Sequence, residues 1–453
     1  MSGTLWLASA GVLAGVAAVA AGGAGYMAGD EDAGPALMER SPIATVWAGH
    51  PVGFCLLTDG DDQFVAFYDA DRKMTVGRRR LPGGEWRLAQ PDETLGWDSH
   101  NYVTMALDRD GYLHLSGNMH CSPLVYYRTA AQRDIGTFER VPAMVGDRED
   151  RCTYPEFMRG PVGELIFTYR DGQSGSGDQI YNVYDPDGRS WRRLIDGPLV
   201  TGEGRMNAYL EGPVRGPDGW FHLCWVWRDT PDCATNHDIC YARSRDLVHW
   251  ETSAGEPLAT PITPETCEVI DPVPPGGGAI NGNTRIGFDT QGRVIVSYHK
   301  FDDAGHTQIY NARREATGWV IYQASDWAER WDFSGGGSIP FRIGVGPVEA
   351  GDDGVLTQAF GHFAHGSGRW RLDEATLKPA EVLAPKRTLP PGLGEPVGEF
   401  PGLEVHVTPG EGASAEPGVR YWLRWETLGP NRDRPREAAP PPSSLEVLKV
   451  REG

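Results

Sequence analysis

The fold is first visible in residues 98–120, which have the sequence Asp-Ser-His-Asn-Tyr-Val-Thr-Met-Ala-Leu-Asp-Arg-Asp-Gly-Tyr-Leu-His-Leu-Ser-Gly-Asn-Met-His. Two β-prone runs, Val103–Leu107 and residues 112–115, are separated by an Asp-Arg-Asp-Gly turn, and this pattern predicts an antiparallel hairpin. A hairpin brings the segment before its first strand close to the segment after its second strand. We therefore expect His100 and His120 to lie on one rim, within reach of a common ligand.

The same strand–turn–strand unit recurs along the chain, usually followed by two further strands, the last of them often close to a tryptophan. Seven such units are predicted, at residues 46–90, 98–142, 152–196, 205–258, 279–323, 335–385 and 398–450. Evenly spaced units of about four strands predict an all-β, seven-bladed β-propeller. A pair of β-sandwiches is the alternative, which the even spacing disfavours. The sixth and seventh units are less regular, and the strand that closes the ring is not predicted.

The composition of the chain supports this class and limits its partners. The 453 residues include 59 glycines and 35 prolines, which suit many short strands joined by turns. The net charge of −20 argues against nucleic acid as the partner, because phosphate binding requires clustered Lys and Arg. A local pocket of Arg and His can still bind an anionic ligand. The chain has seven cysteines, so at least one of them is unpaired or metal-bound if the chain is a monomer. A domain with a large core does not require a disulfide framework.

The N-terminal residues 1–37 differ from the rest of the chain. Residues 5–21 are almost entirely small and apolar, and a Gly/Ala-rich stretch follows them. This pattern predicts a secretory signal or an N-terminal anchor, although no Lys or Arg precedes the apolar run; an upstream extension is the alternative. The protein is thus expected to be secreted or held in the periplasm or cell envelope, with a single propeller domain at residues 38–453.

Polar residues that a propeller would place side by side occur in the second and third units. Tyr154 comes just before the opening strand of its unit, as His100 does in the preceding one. Arg170 ends the second strand of its unit, close to where His120 falls in its own. Because equivalent positions of adjacent blades are neighbours, these four side chains are predicted to line one rim, provided that the strand register is right.

This set of residues suits the abstraction of a proton α to a carboxylate. Arg and His donors stabilise the charge that develops on the carboxylate oxygens, and Tyr or His can remove and deliver protons. On a uronic acid the result is β-elimination of the 4-linked sugar. The structural alternatives are a packed aromatic for Tyr154, an ion pair of Arg170 with Asp171 or Asp178, and a turn histidine for His100.

Five motifs of the chain carry a family resemblance. They are Asp-Ser-His-Asn, Gly-Asn-Met-His, Thr-Tyr-Pro-x-Phe, Tyr-Arg-Asp-Gly-x-Ser-Gly-x-Gly-Asp and Trp-Arg-x-Thr-Pro-Asp-x-Ala-Thr-Asn-His-Asp. Together they resemble the BNR-repeat polysaccharide lyases, whose best-known members are ulvan lyases with a seven-bladed propeller. The resemblance covers residues 45–325 well and the last two units weakly. It implies endolytic β-elimination at a glucuronate or iduronate next to a sulfated rhamnose, and hence an acidic polysaccharide such as ulvan as the substrate.

The resemblance also implies roles for individual residues. It matches His100 and His120 to the family's active-site histidines, Tyr154 to its proton-transferring tyrosine, Arg170 to its carboxylate-neutralising arginine and Tyr209 to a further tyrosine of the site. Our hypothesis is that Tyr154 and His100 are the acid/base pair, without a decision on which of them takes the C5 proton.

Five more polar residues are candidates for substrate binding: Asn101, Asn207, Arg205, Tyr298 and Lys300. Tyr298 and Lys300 belong to the fifth unit, where they suggest a sugar-binding surface. The protein is expected to act as a monomer.

A second constellation predicts a metal. His222 and Cys224 are two residues apart on a predicted strand, so they share a face and can bind one ion. Some members of the resembled family hold a structural zinc with a comparable His-x-Cys and a later histidine, which implies His222, Cys224 and His237 as ligands here. Cys233 or Cys240 is the alternative for the missing fourth ligand. Buried thiols and a core histidine are the structural alternative, and no organic cofactor is expected.

Two other functions remain open at this stage. A sialidase-type glycoside hydrolase would require an arginine triad, for which only Arg170, Arg205 and Arg228 are candidates. A non-catalytic carbohydrate-binding propeller requires no such set. His362 and His365, in the sixth unit, are interpreted as structural.

Overall fold

Strands make up nearly all of the regular structure in the computed structural model, which describes residues 34–452. In this part of the chain, Ile135–Thr137 and Cys233–Thr235 are the only helices, and both are single 3-10 turns. No helix in the described range has the length and apolar character that a membrane span requires.

The strands form seven four-stranded antiparallel blades, which we number 1 to 7 in chain order. Blades 1 to 3 comprise, from the first strand to the fourth, Cys55–Asp59, Asp62–Tyr68, Met74–Arg80 and Arg87–Ala89; Val103–Leu107, Leu113–Gly117, Tyr126–Thr129 and Phe138–Arg140; and Cys152–Arg159, Leu165–Gln173, Ser176–Asp185 and Ser190–Arg193. Blades 4 and 5 comprise Asn207–Arg215, Phe221–Arg228, Asn236–Ser244 and Trp250–Glu251; and Arg285–Phe288, Val294–Phe301, Thr307–Glu315 and Gly318–Gln323. Blades 6 and 7 comprise Ile343–Ala350, Leu356–His362, Gly366–Leu372 and Pro379–Leu383; and Leu403–Pro409, Val419–Leu428, Ser443–Arg451 and Ala36–Val46.

Short strands join the blades to one another. Five of them lie outside the four-stranded sheets: His120–Ser122, Val200–Thr201, Pro257–Leu258, Glu268–Asp271 and Glu411–Ala413. The first pairs with the opening strand of blade 3, and the last pairs with the opening strand of blade 1. The first therefore links blade 2 to blade 3, and the last links blade 7 to blade 1.

The N-terminal strand closes the ring. Ala36–Val46 is the outer strand of blade 7, and it pairs antiparallel with the C-terminal strand so that Ala36 lies opposite Arg451. The last blade is therefore built from both ends of the chain. The strand includes two residues that the sequence analysis assigned to the N-terminal segment 1–37; the part of that segment before residue 34 lies outside the described residues.

The hydrophobic core lies between the blades, which explains why the inner strands are buried on both faces. All seven residues of Asp62–Tyr68 are buried, because the sheet of blade 1 is covered by blades 2 and 7. On the blade 7 side, the rings of Phe54 and Trp425 are 4.7 Å apart. Each blade thus buries its apolar faces against its two neighbours, as propellers do.

The all-β, seven-bladed propeller predicted from the sequence is confirmed. Blades 1 to 6 lie within the predicted units. Blade 7 ends one residue later than predicted, at Arg451, and takes its fourth strand from the other end of the chain.

Candidate active site

Blades 2, 3 and 4 present the candidate catalytic side chains on one rim. The start of a first strand and the end of the antiparallel second strand lie at the same end of a blade. His100 is three residues before the first strand of blade 2, and His120 is three residues after its second strand. The hairpin predicted from residues 98–120 is present, with Val103 opposite Gly117.

A single carboxylate, that of Asp98, orients both histidines. Its Oδ1 accepts hydrogen bonds from Nδ1 of His100 at 2.7 Å and from the His100 backbone N at 2.9 Å, and its Oδ2 accepts one from Nδ1 of His120. The two imidazole rings stack with centroids 4.4 Å apart. Burial by itself would raise the pKa of Asp98, but the hydrogen bonds from the two histidines hold that pKa well below its usual value. Because an ionised carboxylate only accepts, Nδ1 carries a proton in each ring, and the neutral form of each ring has its lone pair on Nε2.

Asp433 provides a second carboxylate beside His100. It comes from the long loop between the second and third strands of blade 7. Its Oδ1 accepts hydrogen bonds from N and Oγ of Ser99, while its Oδ2 accepts one from N of Ser338 and lies 3.4 Å from Nδ1 of His100. The sequence analysis did not identify Asp98 or Asp433. The Asp-x-His spacing could have pointed to the first of them, but no local pattern marks the second.

Tyr154 occupies a strained position in its strand, not the position before the strand that the sequence analysis expected. The first strand of blade 3 begins at Cys152, and Tyr154 lies at an irregularity of register between Thr153 and Glu156 with φ of +58°. A tyrosine rarely adopts a positive φ, and such outliers concentrate at functional sites. The ring centroid is 5.8 Å from that of His100. Burial, together with the neighbouring Tyr209, raises the pKa of Tyr154 despite the opposing charge of the nearby arginines, so the phenol stays protonated at neutral pH.

Two arginines flank Tyr209 beside Tyr154. The guanidinium of Arg170, which is 2% exposed, lies over the Tyr154 ring at 4.9 Å from its centroid and donates to Tyr209 Oη at 3.4 Å. Arg228 donates to the same hydroxyl at 3.3 Å, and Ser174 Oγ is 2.8 Å from it. The sequence analysis had considered Arg228 only for the arginine triad of a hydrolase.

These two guanidinium groups keep their charge free for a ligand. Within residues 34–452 neither of them forms an ion pair with a carboxylate, and Nε of Arg170 is buried without a hydrogen-bond partner. The expected alternative, an ion pair of Arg170 with Asp171 or Asp178, is wrong, because both carboxylates pair with Arg148. Uncompensated positive charge in a largely buried setting attracts an anionic group.

A cleft of about 220 Å³ opens beside these side chains; the surface formed by His100, Tyr154 and Arg170 is the wall of the candidate site. It is lined by His120, Cys121, Gln173, Ser174 and Pro231. The arrangement combines a proton acceptor, a protonated phenol and two unpaired arginines next to one cavity. These groups can remove a proton from a carbon acid and stabilise the anion that forms.

Of the predicted substrate-binding residues, Asn101, Asn207 and Arg205 lie in three different environments. Asn101 adjoins the site, where its carbonyl accepts a hydrogen bond from Tyr68 and its side chain contacts Asn118. Asn207 is fully buried and accepts a hydrogen bond from the backbone N of Gly175, so it links blades 3 and 4. Arg205 lies on the exposed surface, where it pairs with two glutamates.

The predicted sugar-binding pair of blade 5 is engaged within the protein. Tyr298 is buried and donates its hydroxyl hydrogen to Asp271. Lys300 Nζ lies 2.6 Å from the same carboxylate. The structure therefore places Tyr298 in the core and leaves Lys300 neutralised by an ion pair.

The predicted zinc ligands do not form one site. His222 and Cys224 share a strand, but His237 lies opposite Trp227. At the usual rise of a strand, Trp227 is roughly 16 Å along the strand from His222 and roughly 10 Å from Cys224. Both ring nitrogens of His222 are already hydrogen-bonded, to Tyr241 Oη at 2.6 Å and to Asp218 Oδ1 at 3.1 Å. These residues do not fit the zinc that the resemblance implied.

The alternative fourth ligands, Cys233 and Cys240, do not complete the predicted zinc site either. His237 is held by Asp229 and Asp238, each at 3.0 Å. Cys233 and Cys240 belong to hydrophobic clusters other than the one that contains Cys224. The structural alternative agrees with the contacts: the three thiols are buried, and His222 is a core histidine with both nitrogens hydrogen-bonded.

Comparison with known proteins supports the fold and its family. Residues 62–327 match the model of a family described as "BNR repeat-containing family member". A crystal structure of the polysaccharide lyase Uly1 is 14% identical over 92% of this chain and 99% of its own, with a TM-score of 0.60. A PL25 ulvan lyase bound to -[GlcA(1-4)Rha3S]- is 14% identical over 91% of this chain and 96% of its own, with a TM-score of 0.58. At this identity the likeness establishes a shared fold. No curated protein sequence matches the chain.

Proposed function

The chain belongs to the BNR repeat-containing family, and we propose that it is a polysaccharide lyase that cleaves an acidic, uronic-acid-containing polysaccharide by β-elimination. The observation that carries this proposal is the convergence of His100, Tyr154 and the unpaired Arg170 on one wall. The likeness of the fold to polysaccharide lyases is consistent with it.

In this mechanism His100 is the base. Its Nδ1 faces two carboxylates, those of Asp98 at 2.7 Å and Asp433 at 3.4 Å. Proton abstraction by Nε2 creates an imidazolium, and two adjacent negative charges stabilise that cation more than the neutral ring. His120 shares the Asp98 carboxylate and forms the edge of the cleft.

Tyr154 is the acid. As His100 takes the C5 proton of the uronate, the electron pair of the C5–H bond forms the C4=C5 double bond and the C4–O4 bond breaks. The leaving oxygen then takes the proton of the Tyr154 hydroxyl. The raised pKa of Tyr154 suits this role, because an acid has to be protonated when the step begins.

Arg170 and Arg228 bind the uronate carboxylate. Removal of the C5 proton moves negative charge onto the carboxylate oxygens, so donors placed there bind the transition state more strongly than the ground state. The buried, unpartnered Nε of Arg170 offers one donor that no protein group uses in the described chain.

We further propose an ulvan-like polymer of rhamnose and glucuronate as the substrate. This polymer suits the likeness to a lyase solved with -[GlcA(1-4)Rha3S]-. A substrate of this size is met outside the cytoplasm, and the apolar residues 5–21 agree with export. The site is built within one chain, and we propose that the protein works as a monomer.

A sialidase-type hydrolase is less well supported. Its arginine triad would need Arg205 beside Arg170 and Arg228, but Arg205 pairs with Glu203 and Glu265 on the exposed surface.

Near-ultraviolet absorbance during incubation with ulvan and with glucuronans tests the proposed reaction. Elimination leaves a conjugated C4=C5 double bond that absorbs there, whereas hydrolysis or binding leaves none. The absorbance should rise with the native protein and stay flat with Tyr154→Phe. Binding of these polymers without any rise in absorbance would contradict a lyase and favour a carbohydrate-binding propeller.

A further inference from the structure

Three side chains of the types that bind metal ions lie together at blade 6 and the connection that leads to it, outside the candidate active site. His362 ends the second strand of this blade, and His365 lies in the turn that follows it. Glu329 comes from the connection between blades 5 and 6. One potential ligand atom from each of the three residues lies within 4.8 Å of the other two.

His362 has an unused nitrogen in this cluster. The side chain is 4% exposed, and its Nε2 has no hydrogen-bond partner within the described chain. Its Nδ1 accepts a hydrogen bond from the backbone N of Ala364 at 3.1 Å. A buried imidazole nitrogen without a partner costs free energy, and a bound ligand removes that cost.

The surroundings of the cluster favour a bound cation. The rings of Trp327 and Phe363 pack against His362, with centroid distances of 4.3 Å and 4.5 Å. They shield the imidazole from water, since His362 is 4% exposed. Glu329 and His365 are part-exposed and face each other, with 3.0 Å between Oε2 and Nε2, so an ion can enter from solvent.

We propose that Glu329, His362 and His365 form a binding site for a divalent transition-metal ion of the zinc class. Two imidazoles and one carboxylate are a common ligand set for such ions, and they leave a coordination position for water. Ligand atoms around a tetrahedral ion are about 3.4 Å apart for bonds of about 2.1 Å. Because no two ligand atoms of the cluster are more than 4.8 Å apart, they have to approach each other by at most about 1.4 Å. The exposed side chains of Glu329 and His365 can move by this amount.

Coordination through Nε2 places the ring proton of His362 on Nδ1. The amide of Ala364, which now donates to that nitrogen, then has to turn away. This amide belongs to the turn that carries His365, so the same adjustment can bring that side chain towards the ion.

The ion would tie the connection between blades 5 and 6 to the blade 6 hairpin. Nine residues after Glu329, the backbone N of Ser338 donates to Asp433, which lies beside His100. The site thus anchors a segment that reaches the candidate active site, although the proposal does not depend on the reaction.

Titration of the full-length, chelator-treated protein with Zn²⁺ and Co²⁺ tests the proposal. Calorimetry should show one site, and Co²⁺ should produce the visible absorbance of a nitrogen-liganded ion. Because each ligand contributes directly, His365→Ala and Glu329→Gln should each weaken binding by at least about tenfold. His249→Ala is the matched control, since the His249 side chain is 87% exposed at blade 4 and its ring pairs with Asp246.

The Asp98–His100–His120 cluster is the competing site, because it too brings three ligand atoms together. An ion that remains bound in His365→Ala but is lost in His120→Ala would overturn the proposal. So would the absence of Zn²⁺ and Co²⁺ binding by the native protein. Unchanged thermal unfolding of the metal-free His365→Ala variant would show that lost binding is not a folding defect.

Discussion

Oδ2 of Asp433 lies 3.4 Å from Nδ1 of His100, although the two residues belong to blade 7 and blade 2. The contact exists because the ring places a loop of the last blade over the start of the second. Asp433 is itself held by Ser99 and by the backbone of Ser338. The proposed base therefore has its environment set by three separate segments of the chain.

Removing the charge of Asp433 should slow the proposed elimination. In Asp433→Asn the imidazolium that forms on His100 loses one of its two stabilising carboxylates. We expect kcat/KM to fall by about tenfold, the size of one charge-assisted contact in a transition state. Asp229→Asn is a control that removes a carboxylate from a different histidine, His237. Equal activity of Asp433→Asn and native protein would remove Asp433 from the mechanism.

Replacing Asp98 should have a larger effect than replacing Asp433. The two histidines bond different oxygens of Asp98, and Asp98→Asn turns one of these oxygens into an NH2 group that cannot accept from Nδ1. The histidine at that position loses its orientation and tautomer. We expect kcat to fall by at least about 10², in line with other carboxylates that orient a catalytic histidine. Steady-state kinetics together with circular dichroism would separate this loss from unfolding.

Tyr154→Phe should abolish most of the elimination while leaving substrate binding in place. The loss of a positioned general acid costs about 10²–10⁴ in rate. Tyr112→Phe is the matched control, because Tyr112 contacts Arg189 and does not reach the site. If Tyr154→Phe kept native kcat, another group would have to be the acid.

The pH profile gives an independent check on Tyr154. An ordinary tyrosine has a pKa of about 10, and the pKa of Tyr154 is raised above that value, chiefly by burial. Since the acid works in its protonated form, the rate should not fall on the alkaline side below about pH 10. A fall near pH 8 that persists in Tyr154→Phe would assign the alkaline limb to another group.

Arg170→Lys should weaken both binding and catalysis. A lysine keeps the charge but cannot present the planar donors that a carboxylate accepts in pairs. We expect kcat/KM to fall by about 10–10³-fold, with part of the loss in kcat because the charge develops in the transition state. Arg148→Lys, which alters a part-exposed arginine paired with Asp178, should change neither constant.

The buried His299 should make the fold sensitive to acid. Burial lowers the pKa of His299 to about 4, while an unfolded histidine titrates near 6.5. Between these values the unfolded chain binds the extra proton, so stability is complete above about pH 6.5 and declines as the pH falls towards 4. One such histidine contributes up to about 3 kcal/mol to the free energy of unfolding at neutral pH.

The variant His299→Phe tests directly how much His299 contributes to the pH dependence of stability. The ring is 1% exposed and packs against Trp331 and Phe333, so an apolar aromatic ring suits the pocket. Thermal unfolding between pH 7 and pH 4.5 should show a shallower decline in the variant than in the native protein. Parallel curves would show that His299 does not titrate on unfolding.

Local patterns in the sequence were sufficient to predict the seven blades and much of the rim. Alternation of apolar residues, turn residues and strand length are all contained within one unit of about 40 residues, so each blade could be read separately. The meeting of His100, His120, Tyr154 and Arg170 followed from the rule that equivalent positions of adjacent blades are neighbours. The predicted strand register of blade 2 is confirmed, and this register is what brings His100 and His120 together.

Only the tertiary structure decided the remaining features of the site. Asp433 reaches His100 because Ala36–Val46 closes the ring, a pairing between chain ends that no local pattern encodes. The irregularity that gives Tyr154 its positive φ and the separation of His237 from His222 depend on strand register over several residues. The sequence by itself determined which residues form blades 1 to 6 and the three C-terminal strands of blade 7, because strand formation depends on neighbours along the chain. Which carboxylates and cations face one another depends on how the blades pack, and that is a property of the closed ring.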